Sequence, residues 1–341
     1  MSSCSTTTTT AEDGSRTSIT AVHPDIIQTL ILTKLDGQSL ISATSASSTL
    51  HNLCSDDNLW REICNSSWPS TSHPLIKTAI STFPSGHRSF FSDSFPSIDD
   101  RKSGAEHFPS PELISPVDTD TESGWWRKVC NSSWPSTSDP LTQHAGKRQS
   151  QHFPSPELIS AVDIHFEGGS LYSKVLTTET KTGWFMTSPF RIELLGHNET
   201  FPTPVKFTGD DGNHKSELQK MKLSWILIDQ MKNRAVNISS LNPVSVRKHW
   251  LTEDLKIRYS TVINSGAGEL VQCGIVVTCE GKGGGEMHVR EVSMQIEDMD
   301  GKVLCGKDSL VILQGVTEGG RKKRRENEIK EKYENFLELK K

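Results

Sequence analysis

The stretch "HPDIIQTLILTKLDGQSLISATSASSTLHNLCSDDNLWREIC", from His23 to Cys64, decides the fold of the N-terminal part of this chain. Pro24 suits the first position of a helix, because a backbone N–H has no partner there anyway. Ile27, Leu30, Ile31 and Leu35 then follow helical spacing, which places them on one face of a helix. The stretch therefore predicts a first helix that ends at an Asp-Gly turn signal.

Two further short helices follow in the same stretch. The second is predicted from apolar residues at intervals of three or four, namely Leu40, Ala43, Ala46, Leu50 and Leu53. Asp56 or Asp57 can cap a third helix, which carries Leu59, Trp60 and Ile63. Three such helices make a very small core. They are expected either to pack on the rest of the chain or to complete their core on another protein.

The stretch resembles the F-box, the adaptor-binding motif of cullin-type ubiquitin ligases, and ends in the characteristic phrase "LWREIC". The resemblance implies that residues 22–64 bind a Skp-type adaptor and, through it, a cullin. The adaptor-binding residues that it implies are Pro24, Ile27, Ile31, Leu35, Leu40, Leu53, Leu59 and Trp60. His23 and Leu50 stand where the family usually has Leu and Trp, and both positions are expected to contact the adaptor.

Two phrases occur twice in the chain. "LWREICNSSWPSTSHPL" at 59–75 and "WWRKVCNSSWPSTSDPL" at 125–141 share 13 of 17 positions, and "HFPSPELIS" begins at both His107 and His152. The two offsets differ, so this is not a solenoid. The copy at 125–141 has no apolar-periodic helices before it. Residues 107–151 are therefore interpreted as a partial duplication that is mostly loop, although its Trp125, Trp126 and Trp134 would also suit a binding surface.

The C-terminal half predicts a β-rich domain. About eight short β-branched or aromatic runs are separated by turn signals, among them "GWFMTSPFRIELL", "KLSWILID" and "KVLCGKDSLVILQ". The predicted fold class is α+β, with an F-box, an antiparallel β-sandwich or jelly roll, a disordered insertion and a C-terminal helix. The predicted segments are a disordered tail at 1–21, the F-box at 22–64, a linker at 65–106, the duplication at 107–151, the β-rich domain at 152–316 and a basic helical tail at 317–341.

Most of the chain resembles plant F-box proteins whose substrates are poorly defined, through segments such as "FPSGHRSFFSDSFP" and "ELISAVDI". That resemblance implies a non-catalytic subunit of an SCF-type ubiquitin ligase, with a target protein bound by the β-rich domain. The strands also resemble phloem-lectin domains, so the alternative is a lectin-like protein with an inactive F-box remnant. Trp250 in "RKHWLTED" is the predicted exposed contact, whereas Trp225 is predicted to be core.

Composition excludes several other functions. The chain has a net charge of −5 and seven cysteines at irregular spacings, and it lacks an 18-residue apolar run and an N-terminal apolar region of a secretory signal. We expect reduced thiols in the nucleus or cytoplasm, with no membrane or nucleic-acid partner. No metal-ligand spacing or nucleophile motif is present, so neither a catalytic residue nor a cofactor is predicted.

The C-terminal tail contains nine basic and five acidic residues from Arg321 onward. Two interpretations stay open for it. The run Arg321, Lys322, Lys323, Arg324 and Arg325 suits a nuclear-import signal. The spacing of Ile329, Tyr333, Phe336 and Leu337 predicts a helix that docks one apolar face.

Overall fold

A computed structural model of the chain describes residues 22–99, 157–206, 211–265, 269–281, 285–322 and 325–340. By contacts, residues 1–103 and 155–341 form one unit and residues 104–154 form a second. The predicted tail at 1–21 and the predicted duplication at 107–151 lie outside the described residues.

The N-terminal segment is helical. It begins with α1 (Pro24–Ile26), a π turn (Ile27–Ile31) and a 3-10 turn (Leu32–Lys34), followed by α2 (Gly37–Thr44), α3 (Ser48–Leu53) and α4 (Asp57–Ser67). Side-chain oxygens cap α2, α3 and α4. Asp36 accepts from the Ser39 amide at 2.7 Å, and Asp56 accepts from the Asn58 amide at 3.0 Å.

The prediction of a linker at 65–106 is wrong for residues 65–99, the part that the structure describes. It contains a 3-10 turn (Pro69–Ser72), α5 (Pro74–Ser81), α6 (Gly86–Ser94) and the strand β1 (Ser97–Asp99). Composition misled here because the Ser- and Pro-rich sequence is interrupted by apolar residues, aliphatic and aromatic, that sit at core positions. Phe90 and Phe91 are buried against Trp68, with ring centroids 5.8 and 5.4 Å from the indole.

The C-terminal half is built of two antiparallel sheets. The smaller one has the order β3 (Gly169–Glu179), β2 (Glu157–Phe166), β6 (Met221–Asp229) and β7 (Arg234–Asn237). The larger one has the order β4 (Arg191–Glu193), β11 (Glu286–Glu297), β10 (Leu270–Gly281), β9 (Leu255–Asn264) and β8 (Ser245–Lys248), and β5 (Phe201–Lys206) also pairs with β11. The prediction of antiparallel sheets is confirmed.

The smaller sheet is the middle layer of the fold. Alternate residues of a strand point to opposite faces. In β2, Val162 and Ile164 pack into the core shared with the larger sheet. Ile159 and Ala161 pack instead into the core of the N-terminal helices. The helical segment therefore completes its core on this chain's own sheet. Of the two alternatives that the sequence left open, packing on the rest of the chain is the correct one.

Two predicted strands contain helices. "GWFMTSPFRIELL" begins with α7 (Gly183–Thr187), and only Arg191–Glu193 is extended. "KVLCGKDSLVILQ" leads into α9 (Gly306–Glu318), which follows α8 (Asp211–Leu218) in chain order. A short apolar run suits a buried strand or a buried helix equally. Helices α7 and α9 approach closely at Phe185 and Gly306. A Cβ on Gly306 would lie 2.2 Å from the carbonyl oxygen of Phe185.

The chain ends in β12 (Gly320–Lys322), paired with β1, and α10 (Glu326–Leu339). Tyr333 and Phe336 are buried, and Lys332 donates to the Val262 carbonyl oxygen at 2.7 Å. The predicted C-terminal helix with one docked apolar face is confirmed.

Candidate functional site

The N-terminal helices carry an exposed apolar stripe, which we define as Ile26, Leu30, Ile31 and Ile41. The π turn explains why Leu30 and Ile31 are outside. Leu32 N–H bonds to the Ile27 carbonyl, five residues earlier, so Ile27 and Leu32 share the buried face. The single helical face that the sequence predicted for Ile27, Leu30, Ile31 and Leu35 does not hold, because Leu30 and Ile31 lie outside. Leu30 is the most exposed member of the stripe, at 64%.

The eight predicted adaptor-binding residues separate by depth. Pro24 and Ile31 are exposed, whereas Leu35 and Leu53 are half-buried. Ile27, Leu40, Leu59 and Trp60 are buried in the helical core. The Trp60 indole donates to the Cys54 carbonyl oxygen at 2.7 Å, which shows how firmly this group is held inside. Direct contact of all eight residues with an adaptor stays a prediction. The four buried residues pack in the core beneath the exposed stripe.

The two positions that depart from the F-box pattern also have structural roles. His23 is exposed, and its Nδ1 accepts from the Asp25 amide at 3.3 Å, so it caps α1. Leu50 is buried in the helical core. Neither substitution therefore removes a feature that the helices need for their own packing.

A polar junction joins the helices to the smaller sheet. The carboxylate of Asp163 is fully buried and accepts from Ser70 N at 2.8 Å, Ser70 Oγ at 2.5 Å and Ser173 Oγ at 2.7 Å. The Trp68 indole donates to Ser224 Oγ at 3.2 Å beside it. Burial raises the pKa of Asp163, and these hydrogen bonds oppose that rise. The sequence did not reveal the Ser70–Asp163 pair, although Ser70 lies in one duplicated phrase and Asp163 lies three residues after the other.

The loop between β8 and β9 presents Trp250, which is 86% exposed, and the neighbouring exposed Leu251. The loop is held by its own hydrogen bonds. His249 N donates to the Asp254 carbonyl at 2.7 Å, and Thr252 Oγ1 donates to the Asp254 carboxylate at 2.6 Å. Arg290 pairs with the same carboxylate at 2.6 Å. An indole on a pre-organised loop loses little entropy when it is buried by a partner.

Three other aromatic residues of the β-rich half have different positions. Trp225 is fully buried and its interpretation as core is confirmed, and Tyr259 is likewise buried. Trp184 is exposed, in α7.

The basic run is only partly a surface feature. The Arg321 guanidinium is largely buried and donates to backbone carbonyls of the surrounding segments, including those of Asp93 at 3.0 Å and Ala235 at 2.8 Å. Burial lowers the pKa of Arg321 to about 10. Lys322 pairs with Glu328, Arg325 is exposed, and Lys323 and Arg324 lie outside the described residues. The Arg321 side chain is occupied by these contacts within the fold. Nuclear import through the other residues of the basic run stays a prediction.

The described part of the chain contains no group of three or more His, Cys, Asp or Glu side chains that could hold a metal ion. Its buried thiols are poor nucleophiles, because burial raises the pKa of Cys273 and of Cys279 to about 12. Among the helices that the structure describes, none is long and apolar enough to cross a membrane.

Comparison with known proteins gives the family. A family profile described as F-box-like matches residues 24–66. The chain is 41% identical over 336 residues to F-box protein At2g27310 of Arabidopsis thaliana, which covers 95% of this chain and 86% of the relative. It is 40% identical over 327 residues to Probable F-box protein At2g36090 of the same plant, covering 94% of this chain and 83% of that relative.

A third relative, F-box protein At3g44326 of Arabidopsis thaliana, is 38% identical over 354 aligned positions that cover 99% of this chain and 85% of the relative. No solved structure matches the chain. The similarity to these relatives extends through the helices and both sheets, well beyond the profile match. The chain therefore belongs to the F-box protein family, whose general class is the substrate adaptor of SCF-type ubiquitin ligases.

Proposed function

We propose that this chain is a substrate-recognition subunit of an SCF-type ubiquitin ligase. Its N-terminal helices bind a Skp-type adaptor and, through it, a cullin, and its β-sandwich binds a target protein. The observation that carries the adaptor half is the exposed apolar stripe, because several large aliphatic side chains exposed on neighbouring helical segments mark an interaction surface. The stripe lies within the residues that match the F-box-like profile.

The stripe has the chemistry of a helix-in-groove contact. Ile26, Leu30 and Ile31 come from one helical segment, and Ile41 from the next helix. Buried Ile27 and Leu40 lie beneath them in the helical core and hold their backbone in place. In this proposal the adaptor covers the stripe, and burial of each partly exposed aliphatic side chain contributes on the order of 1 kcal/mol.

The Trp250 loop is the proposed contact for the target. Tryptophan is enriched among the residues that dominate binding energy, particularly where a rigid scaffold presents it. The loop lies at the tip of the β8–β9 hairpin, on the edge strand of the larger sheet. The chain itself performs no chemistry in this proposal. It raises the effective concentration of the target near an enzyme bound elsewhere in the complex.

The adaptor half is tested with Leu30→Glu in the full chain, measured by calorimetry against a plant Skp-type adaptor. A charge in the stripe should weaken binding at least tenfold. Leu339→Glu is the matched control, because Leu339 is also a helical leucine and is 68% exposed, in α10. Equal binding by the two variants, or no binding by the unaltered chain, would contradict the proposal.

The target half is tested by proximity labelling in plant cells with Trp250→Ala, using Trp184→Ala as the control since both indoles are exposed. Proteins that depend on Trp250, but not on Trp184, and that acquire ubiquitin in the presence of the chain are the expected targets. A labelled set that is the same for all three forms would argue against the loop.

The exposed Trp250 ring also suits the alternative, a lectin-like protein with an inactive F-box remnant, because sugars stack on exposed indoles. Glycan-array binding that is lost in Trp250→Ala, together with no adaptor binding by the intact chain, would favour this alternative. If the intact chain binds the adaptor and retains no glycan on the array, the lectin-like alternative is excluded.

A further inference from the structure

An open cleft lies where the N-terminal helices leave part of the smaller sheet uncovered. Its volume is about 250 Å³. One wall is formed by Trp68 and Phe95, at the ends of α4 and α6, and by Leu241 from the segment after β7. The floor is the sheet itself, which contributes His165 from β2 and Lys222 and Ser224 from β6. These six residues define what we call the junction cleft.

The floor concentrates hydrogen-bond donors. His165 and Lys222 are directly opposite each other in the β2–β6 pairing. Side chains of such cross-strand neighbours lie about 5 Å apart on the same face. Within the described residues, neither side chain makes a hydrogen bond or an ion pair, although Asp163 lies close enough to interact with His165 through space. Both side chains are therefore left to donate hydrogen bonds to a ligand in the cleft.

Burial, together with the charge of Lys222, lowers the pKa of His165, and Asp163 opposes this effect. The imidazole is therefore neutral at pH 7 and supplies an N–H donor, while Lys222 supplies the positive charge. Ser224 Oγ already accepts from the Trp68 indole at 3.2 Å, so its own proton is left to donate. The floor thus offers three donors of different kinds on one face of the sheet.

We propose that the junction cleft binds a small organic anion, with its carboxylate or phosphate held by Lys222, His165 and Ser224. Its apolar, preferably aromatic, body packs against Trp68, Phe95 and Leu241. The pattern is that of small-molecule sites, which are concave, largely apolar and carry a few convergent polar groups. The volume suits a ligand on the order of ten non-hydrogen atoms.

The residues of the junction cleft are different from those of the exposed stripe and of the Trp250 loop. Trp68 and Ser224 are also part of the junction between helices and sheet. A ligand that binds only the folded chain stabilises it in proportion to the logarithm of ligand concentration. Binding in the cleft therefore reinforces the contact between the helical segment and the sandwich.

The probes for the full chain are benzoate, 2-naphthoate and phenyl phosphate, with benzamide and 2-naphthamide as neutral counterparts. Binding is measured by saturation-transfer NMR and calorimetry, and the rise in Tm gives an independent measurement. We expect saturable binding of at least one anion, at least tenfold tighter than its neutral counterpart. No saturable binding of any of the three anions, or equal binding of anion and amide, overturns the proposal.

Two variants locate the binding. Lys222→Met removes the charge and keeps the aliphatic stem, and it should weaken anion binding about tenfold. Lys256→Met is the control, because Lys256 is an exposed strand lysine with no partner among the described residues. Ser66→Trp obstructs the cleft from an exposed position that lines it, without altering any of the donors. Unchanged binding by both Lys222→Met and Ser66→Trp would place the anion elsewhere and refute the site.

Discussion

Ser70 and Asp163 are joined twice, through Ser70 N to Oδ1 at 2.8 Å and through Ser70 Oγ to Oδ2 at 2.5 Å. The pair connects the 3-10 turn after α4 with the central strand β2, across 93 residues of sequence. Both residues are buried. The junction between the helical segment and the sheet therefore depends on hydrogen bonds to a buried carboxylate, which needs such donors because water does not reach it.

Ser70→Ala should destabilise the chain by about 1–3 kcal/mol, because it leaves Oδ2 of a buried carboxylate without its hydroxyl donor. Chemical denaturation gives the free energy of unfolding. Ser72→Ala is the matched control: it lies in the same turn, is exposed, and makes only a 3.3 Å contact with Asn65. Equal stabilities of the two variants would show that the pair contributes little.

The contribution of Asp163 should depend on pH. Burial raises its pKa above the ordinary 3.8, so the unfolded chain loses this proton at a lower pH than the folded chain does. The stabilisation is therefore complete below pH 3.8 and is lost as the pH rises through the folded-state pKa. Asp163→Asn does not titrate. The difference in unfolding free energy between the unaltered chain and this variant should fall as the pH rises above about 4, and a difference that grows would contradict the prediction.

Arg321 should be a stability residue. Its guanidinium joins the C-terminal strand β12 to α6 and β7 through the carbonyls of Asp93 and Ala235. Arg321→Met leaves these buried acceptors unpaired, and we expect a loss of about 3 kcal/mol or more. Arg325→Met, at an exposed position in the same basic run, should change the unfolding free energy by less than about 0.5 kcal/mol. A small effect at both positions would show that the carbonyls find other partners.

Nuclear import has to be tested without changing Arg321. The triple change Lys323→Gln, Arg324→Gln and Arg325→Gln removes three positive charges and leaves Arg321 and Lys322 in place. If the run is an import signal, the nuclear fraction of a fluorescent fusion too large to diffuse through the pore should fall, with an unchanged Tm. An unchanged nuclear fraction would remove the basic run as the signal.

Deleting residues 107–151, which joins Glu106 to His152, should change neither Tm nor adaptor binding. The buried pair is made by Ser70 of the first helical phrase and by Asp163, three residues after the second "HFPSPELIS" phrase, and the deletion retains both. Loop length has only a logarithmic effect on stability. A Tm loss of more than a few degrees would show that Trp125, Trp126 or Trp134 contributes to a core.

Helical spacing and capping residues identified the N-terminal helices from the sequence, because a helix places residues three and four apart on one face. Alternation and turn signals similarly identified most strands of the two sheets. The exposed position of Trp250 and the buried position of Trp225 followed from the polar or apolar character of their neighbours. Local chemistry was sufficient for each of these features.

Tertiary contacts decided the rest. The π turn moves Ile31 to the surface, and the apolar run in Gly306–Glu318 becomes a helix through its packing on the rest of the fold. Arg321 lies inside, and Ser70 meets Asp163, because residues far apart in sequence bring carbonyls and a carboxylate to them. Helical and strand periodicity and the F-box motif could be recognised in the sequence, because each is a pattern among residues close together in the chain. Which apolar residues remain outside and which polar residues are buried could not be predicted, because burial depends on contacts between distant segments.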